Sequence, residues 1–469
     1  MLTYDMEKRG ATPIYFYLYK CIKSDIEKGV IKPNEKLPSK RSLAEHLKIS
    51  VMTVQNAYMQ LMSEGYIYSK TKSGYFAHSL EIPFTVIPNK NIAAIPRKNT
   101  SEGDKYFIDF RDNNINTDIF PFSVWSGVIR KVLGEYGGET LKKLPNAGVK
   151  KLREAIAGLL YRFRGMEVSP ERIIIGAGTE YLYGLLVKLL GKDKIYAVED
   201  PGYGKIAAVY KSEGVECRYI ALDGYGLSSG ELIKSDADIV HISPSHHFPT
   251  GIVMPAGRRR EILGWAYSAP ERYIIEDDYD SEFRFTGKPL PTMESIDTQG
   301  RVIYMNTFSK TISPSLRISY IVLPAELLER YNSSLGFYSC TVSGIEQYAL
   351  AEFIDGGYFE RHINRMRKAY KTKRDLIIKQ IKDSPLGEKA TILEEDSGLH
   401  FIIKLKTDLN DREIIGMVKV RGINISCLSQ YGNRQEGMQN SMFIINYSGI
   451  DMDCMAKAVE ILADTVNHP

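Results

Sequence analysis

The chain has 469 residues, 43% hydrophobic and 25% charged, a composition typical of folded domains. This length exceeds what one small core can fill, so two or more domains are expected. Apolar runs are too short for a membrane span, the N-terminus shows no signal-peptide core, and the net charge of +4 is too small to prove a nucleic-acid partner.

The five cysteines are scattered along the chain and form no CxxC pair. An odd number without a framework favours packed thiols in a reducing compartment and disfavours structural zinc. We therefore expect a cytoplasmic protein with no bound metal and no membrane partner.

Positive charge is concentrated at the N-terminal end, where residues 1–80 hold twelve Lys and Arg residues against seven acids. Apolar residues at three- and four-residue spacing from Ile14 to Ile26 predict a first helix. Ser39 and Ser50 stand at N-cap positions before two further helices, and a turn at Ser73-Gly74 divides a predicted hairpin. This order of elements is typical of a winged helix-turn-helix.

The third predicted helix begins with small polar side chains, which suit base edges in the major groove, while neighbouring cations suit phosphates. Charge alone would equally fit a solvated surface, and three helices alone would fit a protein-interaction module. We predict binding to a double-stranded DNA operator. The predicted contact residues are Ser39, Lys40, Arg41, Thr53, Gln55, Asn56, Lys70 and Lys72.

Residues 81–105 contain three prolines and a polar run without a sustained period, so we expect a linker between domains at 1–80 and 106–469. Beyond it, apolar strand-like runs alternate with helical patterns, which predicts an α/β domain with a mostly parallel sheet. A smaller α+β subdomain is expected from about 345 to 469. The strands predicted for the large sheet are Ile173–Ile175, Lys194–Val198, Ala237–Ile242, Arg272–Ile275, Arg301–Met305 and Ile318–Val322.

Lys310 follows the apolar run that ends at Met305, and an earlier apolar run ends in the acids of Glu276-Asp277-Asp278. A lysine and a carboxylate at adjacent strand ends are the two groups needed to hold pyridoxal 5'-phosphate. The amine forms a Schiff base with the aldehyde, and the carboxylate keeps the pyridine nitrogen protonated. The sequence therefore predicts a site for this cofactor, with Lys310 as its reactive group and Asp277 as an acidic partner.

Other residues offer groups that the same cofactor needs. A glycine-containing turn before a helix suits a phosphate, although an ordinary tight turn has the same composition. An arginine can clamp the phosphate, hydroxyls can bind it, and a tyrosine ring can stack on the pyridine or pack in the core. These candidates are Ala177, Gly178, Thr179, Thr307, Ser309, Arg317, Tyr203 and Tyr279.

Several motifs carry a resemblance to known families. Leu37-Pro38-Ser39-Lys40-Arg41-Ser42-Leu43-Ala44 and Thr53-Val54-Gln55-Asn56-Ala57-Tyr58 resemble the signatures of GntR-type DNA-binding domains. Asp277-Asp278-Tyr279-Asp280-Ser281-Glu282-Phe283 and Thr307-Phe308-Ser309-Lys310 resemble fold-type I pyridoxal-phosphate enzymes of the aminotransferase class. The whole chain resembles the MocR/GabR subfamily of bacterial regulators, which join the two parts.

The resemblance implies roles for the candidate residues. Lys310 would bind the cofactor aldehyde, Asp277 would pair with the pyridinium, and Tyr279 would pair with the ring hydroxyl. Arg317 and the 177–180 turn would hold the phosphate, and Tyr203 would stack on the ring. The resemblance also implies a homodimer, with domain swapping left open, on two DNA half-sites.

Three positions depart from the resembled pattern. Val51-Met52 stand where many relatives carry an arginine, which affects the base preference and not the fold. His247 replaces a glutamine, and Ile444 stands where aminotransferases place the arginine that anchors a substrate carboxylate. Another cation must then bind the carboxylate, or the ligand is held differently. The predicted effector contacts are Lys205, His247 and Arg434. Lys205 and Arg434 are equally well explained as surface charges.

Two functions fit these features. In the first, the protein is a transcriptional regulator that senses an amine or amino acid by transimination at Lys310, and a coupling of about 1–3 kcal/mol would make a switch. In the second, it is an aminotransferase with an attached DNA-binding module. The missing carboxylate anchor favours the regulator, with weak or partial transamination at most. A vestigial domain without cofactor is disfavoured because Lys310, Asp277, Tyr279 and Arg317 are all present.

Overall fold

The computed structural model describes residues 2–79, 106–112, 115–287, 290–396, 398–433 and 441–467. The chain divides into two compact units, Met1–Ser101 and Glu102–Pro469. The predicted linker at 81–105 lies outside the described residues, so its boundaries stay a prediction. Among the described residues, no helix combines the length and apolar character that crossing a bilayer requires.

The first unit is a winged helix-turn-helix, as the sequence predicts. Its helices bury one apolar face each, and Leu18, Val54 and Leu61 are fully buried where these faces meet. Ser39 and Ser50 cap the second and third helices by accepting hydrogen bonds from backbone N–H groups. The elements are α1 (Ile14–Glu27), α2 (Lys40–Leu47), α3 (Val51–Ser63), β1 (Ile67–Lys70) and β2 (Gly74–Ala77).

The second unit is built around an eight-stranded sheet in the order β4-β11-β10-β9-β8-β5-β6-β7. β11 runs antiparallel to both of its neighbours and β7 runs antiparallel to β6, while the remaining pairs are parallel. Its strands are β4 (Ile173–Gly176), β5 (Ile195–Asp200), β6 (Glu216–Asp223), β7 (Gly226–Leu227), β8 (Ile239–Ile242), β9 (Tyr273–Asp277), β10 (Val302–Thr307) and β11 (Ser319–Val322). β3 (Ile108–Asp109) pairs separately with β14.

Helices cover both faces of this sheet. Ile275 and Ile303 pack into a cluster with α6, α7 and α11, whereas Ile274 and Val302 pack with α8 and α9 on the opposite face. Neighbouring strand residues thus point to opposite faces, so both faces are apolar. The helices are α4 (Phe122–Tyr136), α5 (Lys150–Arg164), α6 (Thr179–Leu190), α7 (Gly204–Ser212), α8 (Ser229–Lys234), α9 (Ala256–Tyr267), α10 (Met293–Ile296), α11 (Ala325–Leu335), α12 (Gly344–Asp355), α13 (Tyr358–Lys382), α14 (Asp411–Val420) and α15 (Met455–Asn467).

The C-terminal part forms a second, four-stranded antiparallel sheet in the order β12-β13-β16-β15. Its strands, with the short β14, are β12 (Ala390–Leu393), β13 (His400–Leu405), β14 (Ile423–Asn424), β15 (Ser426–Cys427) and β16 (Met442–Asn446). The predicted mixed α/β architecture with a large, mostly parallel sheet is confirmed. The predicted start of the small subdomain near 345 stays a prediction.

Candidate functional site

The carboxyl ends of the central parallel strands bring the predicted cofactor residues together. Met305 in β10 pairs with Asp277 in β9, so Asp277 ends its strand beside the strand that leads to Lys310. Such an edge is where open α/β sheets bind ligands, because loops and helix N-termini converge there.

Lys310 lies just after β10, between the buried Phe308 and Ile312. Burial lowers the pKa of its amine to about 8, against the opposing effects of the Asp280 and Asp112 carboxylates. A larger fraction of the amine is therefore uncharged near neutral pH than in an ordinary lysine, and the uncharged amine is the form that attacks an aldehyde. Nearby, Ser319 and Ser309 share hydrogen bonds of 2.8 and 2.9 Å with the Thr307 hydroxyl.

Asp277 is buried, and its two oxygens have different surroundings. Oδ2 accepts a hydrogen bond of 3.0 Å from the Tyr183 hydroxyl and lies 3.5 Å from His241 Nε2. His241 in turn lies 2.7 Å from the Tyr210 hydroxyl through Nδ1. Oδ1 is also buried but has no hydrogen-bond partner among the described residues. One oxygen is thus fixed, and the other is an acceptor suited to the N–H of a pyridinium ring.

The turn between β4 and α6 forms a cradle for an anion. Gly178 has φ of 90°, and a Cβ atom there would overlap the guanidinium of Arg317. No described side chain caps α6, so the N–H groups of its first turn, which begins at Thr179, are available to an anion. The Ala177 N–H donates to the Thr341 hydroxyl at 3.0 Å. The cradle therefore combines a helix N-terminus with a guanidinium at close approach.

Glu180 holds the two cations beside this cradle. It pairs with Arg317 at 3.0 Å and also with Lys205. The hydrogen bond with Glu180 raises the pKa of Lys205, and the Lys205 partner lowers the pKa of Glu180. The positive charge of Lys205 is thus already balanced by Glu180, so a ligand carboxylate would have to compete with Glu180 for it.

Tyr203 is half-exposed and meets Phe248 edge to face, with ring centroids 5.9 Å apart. Phe248 also packs edge-on against His400 and Tyr431, at 5.2 and 5.3 Å. This aromatic wall supports Tyr203 from one side and leaves its ring accessible for stacking. The sequence predicts no role for Phe248 or Tyr431, because a single aromatic residue looks like an ordinary core residue.

One predicted effector contact, His247, lies in surroundings different from those expected of a ligand contact. His247 is buried, with Nδ1 2.7 Å from Thr250 Oγ1 and Nε2 3.4 Å from Glu199 Oε2. Burial lowers the pKa of His247 to about 3 and raises that of Glu199 to about 8, so the interior favours the uncharged form of each. His247 therefore belongs to the packing of the loop after β8. Arg434 lies outside the described residues.

Ile444, at the place of the expected carboxylate anchor, is fully buried in β16. It pairs with Ile402 of β13 and Ser426 of β15, so its immediate strand neighbours are uncharged. An aliphatic side chain in an uncharged setting cannot bind a carboxylate.

The predicted DNA-contacting residues lie on α2, α3 and the hairpin of the first unit. Lys40 donates a hydrogen bond of 3.3 Å to Gln55, which ties the starts of α2 and α3 together. Ser39 uses its hydroxyl to cap α2, and Thr53 lies 2.8 Å from the capping hydroxyl of Ser50. The exposed cations of this unit include Arg41, Lys70 and Lys72. Asn56 is partly exposed on α3, where the exposed Val51 and Met52 also lie.

Family models match both units. The model for class I and II aminotransferases matches residues 115–462, and the model for bacterial regulatory proteins of the gntR family matches residues 15–76. Each matched segment lies within one of the two compact units, the first containing the winged helix and the second the predicted cofactor residues.

Relatives match over nearly the whole chain. The uncharacterized HTH-type transcriptional regulator YdeL of Bacillus subtilis is 38% identical over 88% of each chain. The probable rhizopine catabolism regulatory protein MocR of Rhizobium meliloti is 31% identical over 97% of this chain and 94% of its own. The pyridoxine biosynthesis regulator PdxR of Corynebacterium glutamicum is 28% identical, covering 97% and 96%.

Solved aminotransferases share the fold of the second unit. The multiple substrate aminotransferase of Thermococcus profundus matches with a TM-score of 0.69 at 22% identity, over 78% of this chain and 92% of its own. The kynurenine aminotransferase of Pyrococcus horikoshii matches with a TM-score of 0.68 at 23% identity, covering 77% and 91%. At these identities the likeness shows the fold alone.

The fold and the site define a GntR-type DNA-binding domain joined to an aminotransferase-like domain of fold-type I. The chain belongs to the MocR/GabR type of HTH transcriptional regulators. The cofactor of its larger domain is pyridoxal phosphate. The residues present fit this group. Asp277 Oδ1, which has no hydrogen-bond partner in the part of the chain that the structure describes, supplies an acceptor for its ring nitrogen, and the Gly178 cradle supplies a place for its phosphate.

Proposed function

We propose that this protein is a transcriptional regulator of the bacterial cytoplasm whose larger domain senses a primary amine or amino acid. Pyridoxal phosphate would be held on Lys310, and the effector would exchange with Lys310 by transimination. The observation that carries the proposal is the state of Asp277, which has one oxygen fixed by Tyr183 and the other buried without a partner among the described residues. Such a prepared acceptor costs folding energy unless a ligand donor completes it.

Bound pyridoxal phosphate supplies an aldehyde carbon that condenses reversibly with primary amines, and a ring that absorbs near-ultraviolet and visible light. The chain's own groups position it. Lys310 offers an amine whose pKa of about 8 keeps it reactive. Arg317 and the N-terminus of α6 would hold the phosphate, and Asp277 would keep a proton on the ring nitrogen.

Sensing is favoured over turnover by the surroundings of the ligand. Ile444 offers no charge, Lys205 pairs with Glu180, and Arg317 is assigned to the phosphate. A weakly anchored α-carboxylate would leave an amino acid free to bind in several orientations, which disfavours efficient proton transfer. Relatives are named for two different processes, rhizopine catabolism and pyridoxine biosynthesis, so these names do not identify the effector of this chain.

The DNA would be read by α3, with two subunits of a homodimer on two half-sites. Thr53, Gln55 and Asn56 would face base edges, while Lys40, Arg41 and the hairpin lysines would contact phosphates. Ser39 and Ser50 would contribute through the caps that orient the two helices.

The proposal is tested by fluorescence anisotropy with promoter DNA from the gene's own neighbourhood, using apoprotein, cofactor-loaded protein, and loaded protein with a panel of amines and amino acids. We expect at least one amine to change DNA affinity about 5- to 150-fold, the range of a 1–3 kcal/mol coupling. A parallel assay measures keto-acid formation. Rapid turnover with a keto acid would favour the aminotransferase. A DNA affinity that is unchanged by the cofactor and by every amine would refute sensing.

Removing one phosphate contact is expected to weaken all DNA binding alike. Arg41→Ala and Lys70→Ala should each reduce affinity for the operator and for unrelated DNA by a similar factor, and should reduce the salt-dependence slope by about one. Lys234→Ala removes the same charge from the exposed surface of the second unit and is the control. A loss of operator affinity without loss of non-specific affinity would contradict the assigned role.

A further inference from the structure

His246 lies in the loop after β8 and makes a close contact with the residues that follow β9. It is buried, and its Nδ1 atom lies 2.9 and 3.1 Å from the two carboxylate oxygens of Asp280. The same nitrogen lies 3.2 Å from the hydroxyl oxygen of Tyr279. One ring nitrogen is thus placed between a carboxylate and the phenol that the proposed function assigns to the cofactor.

The hydrogen-bonding capacity of these groups fixes where the protons lie. A carboxylate only accepts, so the contact with Asp280 places a proton on His246 Nδ1. The Tyr279 oxygen then shares that N–H as a second, longer acceptor at 3.2 Å, and Tyr279 keeps its own hydrogen for another acceptor. Burial, reinforced by the Asp280 and Asp277 carboxylates, raises the pKa of Tyr279 well above its ordinary value, so the phenol retains this hydrogen.

The imidazole is held firmly in this position. A Cβ atom at Gly398, which has φ of 73°, would overlap the His246 ring, so the backbone at Gly398 packs directly against the imidazole. The His400 ring packs on it with centroids 4.7 Å apart. His246 therefore has little freedom to turn Nδ1 away from Asp280 and Tyr279.

We infer that His246 is a positioning residue, which directs the hydroxyl hydrogen of Tyr279 toward the ring oxygen of the bound cofactor. The inference rests on the proposed function, because it concerns the same cofactor. Asp280 contributes by fixing the proton of His246 on Nδ1. The chain thereby controls the protonation of the cofactor through a residue that does not itself touch it.

The other charged and titratable groups around His246 are not substituted in the test. His247, His400 and Glu394 interact with it electrostatically. Arg164, Arg259 and Arg284 line the same cavity as His246 and Asp280. Any change that they undergo when His246 is replaced is common to His246→Leu and the double variant.

The test follows the absorption of the bound cofactor against pH in the full-length, cofactor-loaded protein. A donor hydrogen bond to the ring oxygen stabilises its anionic form, so losing the donor raises the pH midpoint of the spectral change. We expect His246→Leu and Tyr279→Phe each to raise the midpoint by about one pH unit, the effect of losing one hydrogen bond to a charged group. His246→Asn, whose amide N–H can replace Nδ1–H, should return the midpoint close to that of the wild type.

The double variant His246→Leu/Tyr279→Phe separates positioning from a general effect on the site. If His246 acts through Tyr279, the double variant has the midpoint of Tyr279→Phe alone. An equal additional shift in that background, or no shift in His246→Leu, overturns the inference. His246→Phe, which keeps the ring volume, replaces the leucine variant if circular dichroism shows that the latter is unfolded.

Borohydride reduction followed by peptide mass mapping distinguishes failure of the inference from failure of the proposed function. Absence of label at Lys310 in the wild type would refute the cofactor attachment itself. Label at Lys310 in every variant, together with an unchanged midpoint in His246→Leu, would overturn only the role of His246.

Discussion

Lys310→Ala is expected to abolish covalent retention of pyridoxal phosphate and, with it, any response of DNA binding to amines. Alanine has no nucleophile, and within the described residues no other lysine is assigned to this strand end. The wild type should keep its near-ultraviolet and visible absorption through desalting and carry one borohydride-fixed label at Lys310. In the variant, both the absorption and the label should fall below the detection limit of the assay.

Lys211→Ala is the matched control, because Lys211 is an exposed lysine on α7 whose partner is the Tyr219 hydroxyl. It should retain absorption and label like the wild type. DNA affinity of the Lys310→Ala apoprotein should match that of wild-type apoprotein, because the winged helix is a separate unit. Retained absorption with label on another residue would show that the cofactor is attached elsewhere.

The central strands were predictable because strands buried on both faces form continuous apolar runs. The runs at Ile173–Ile175 and Arg301–Met305 correspond to β4 and β10. The structure also contains β6 (Glu216–Asp223), which the sequence did not indicate. Its mixed sequence of Glu, Cys, Arg and Tyr reflects a partly exposed strand near the sheet edge, where apolar content is low on one face.

The residues predicted to hold the cofactor stand out in the sequence because reactive and charged side chains follow apolar runs. The groups that support them do not. Tyr183 lies in the apolar pattern of α6, and His241 lies inside a buried strand, so both look like core residues. Their contact with Asp277 depends on the order of β4, β8 and β9 in the sheet, which joins positions far apart in the chain.

His247 is the reverse case, in which a residue predicted to contact the effector lies in the protein interior. A histidine in a loop beside a predicted site suggests a ligand contact, but the neighbouring Glu199 and Thr250 enclose it. The residue before it, His246, faces Tyr279 instead. The sequence contains both histidines, and only the turn of the backbone between them decides which one faces the cofactor residues.

Gly178→Ala is expected to reduce cofactor affinity by about ten- to a hundredfold. The left-handed φ of 90° strains any residue with a Cβ, and here the Cβ would also displace the guanidinium of Arg317 from the cradle. Losing one charge-assisted hydrogen bond to the phosphate costs about 1.5–3 kcal/mol, which gives this range. Affinity is measured by titrating apoprotein with pyridoxal phosphate and following intrinsic fluorescence.

Gly214→Ala separates the two causes, because Gly214 has a similar φ of 85° but open space where a Cβ would lie. Both variants place a Cβ at positive φ, so the melting temperature of both apoproteins should fall, and the fall should be at least as large for Gly178→Ala, whose ψ of 164° lies in a region that is nearly exclusive to glycine. Cofactor affinity should fall only in Gly178→Ala, because only there does the new methyl group meet Arg317. Equal cofactor affinity in the two variants would mean that Arg317 can move away from Gly178 without loss of cofactor affinity. The phosphate would then be held by other groups.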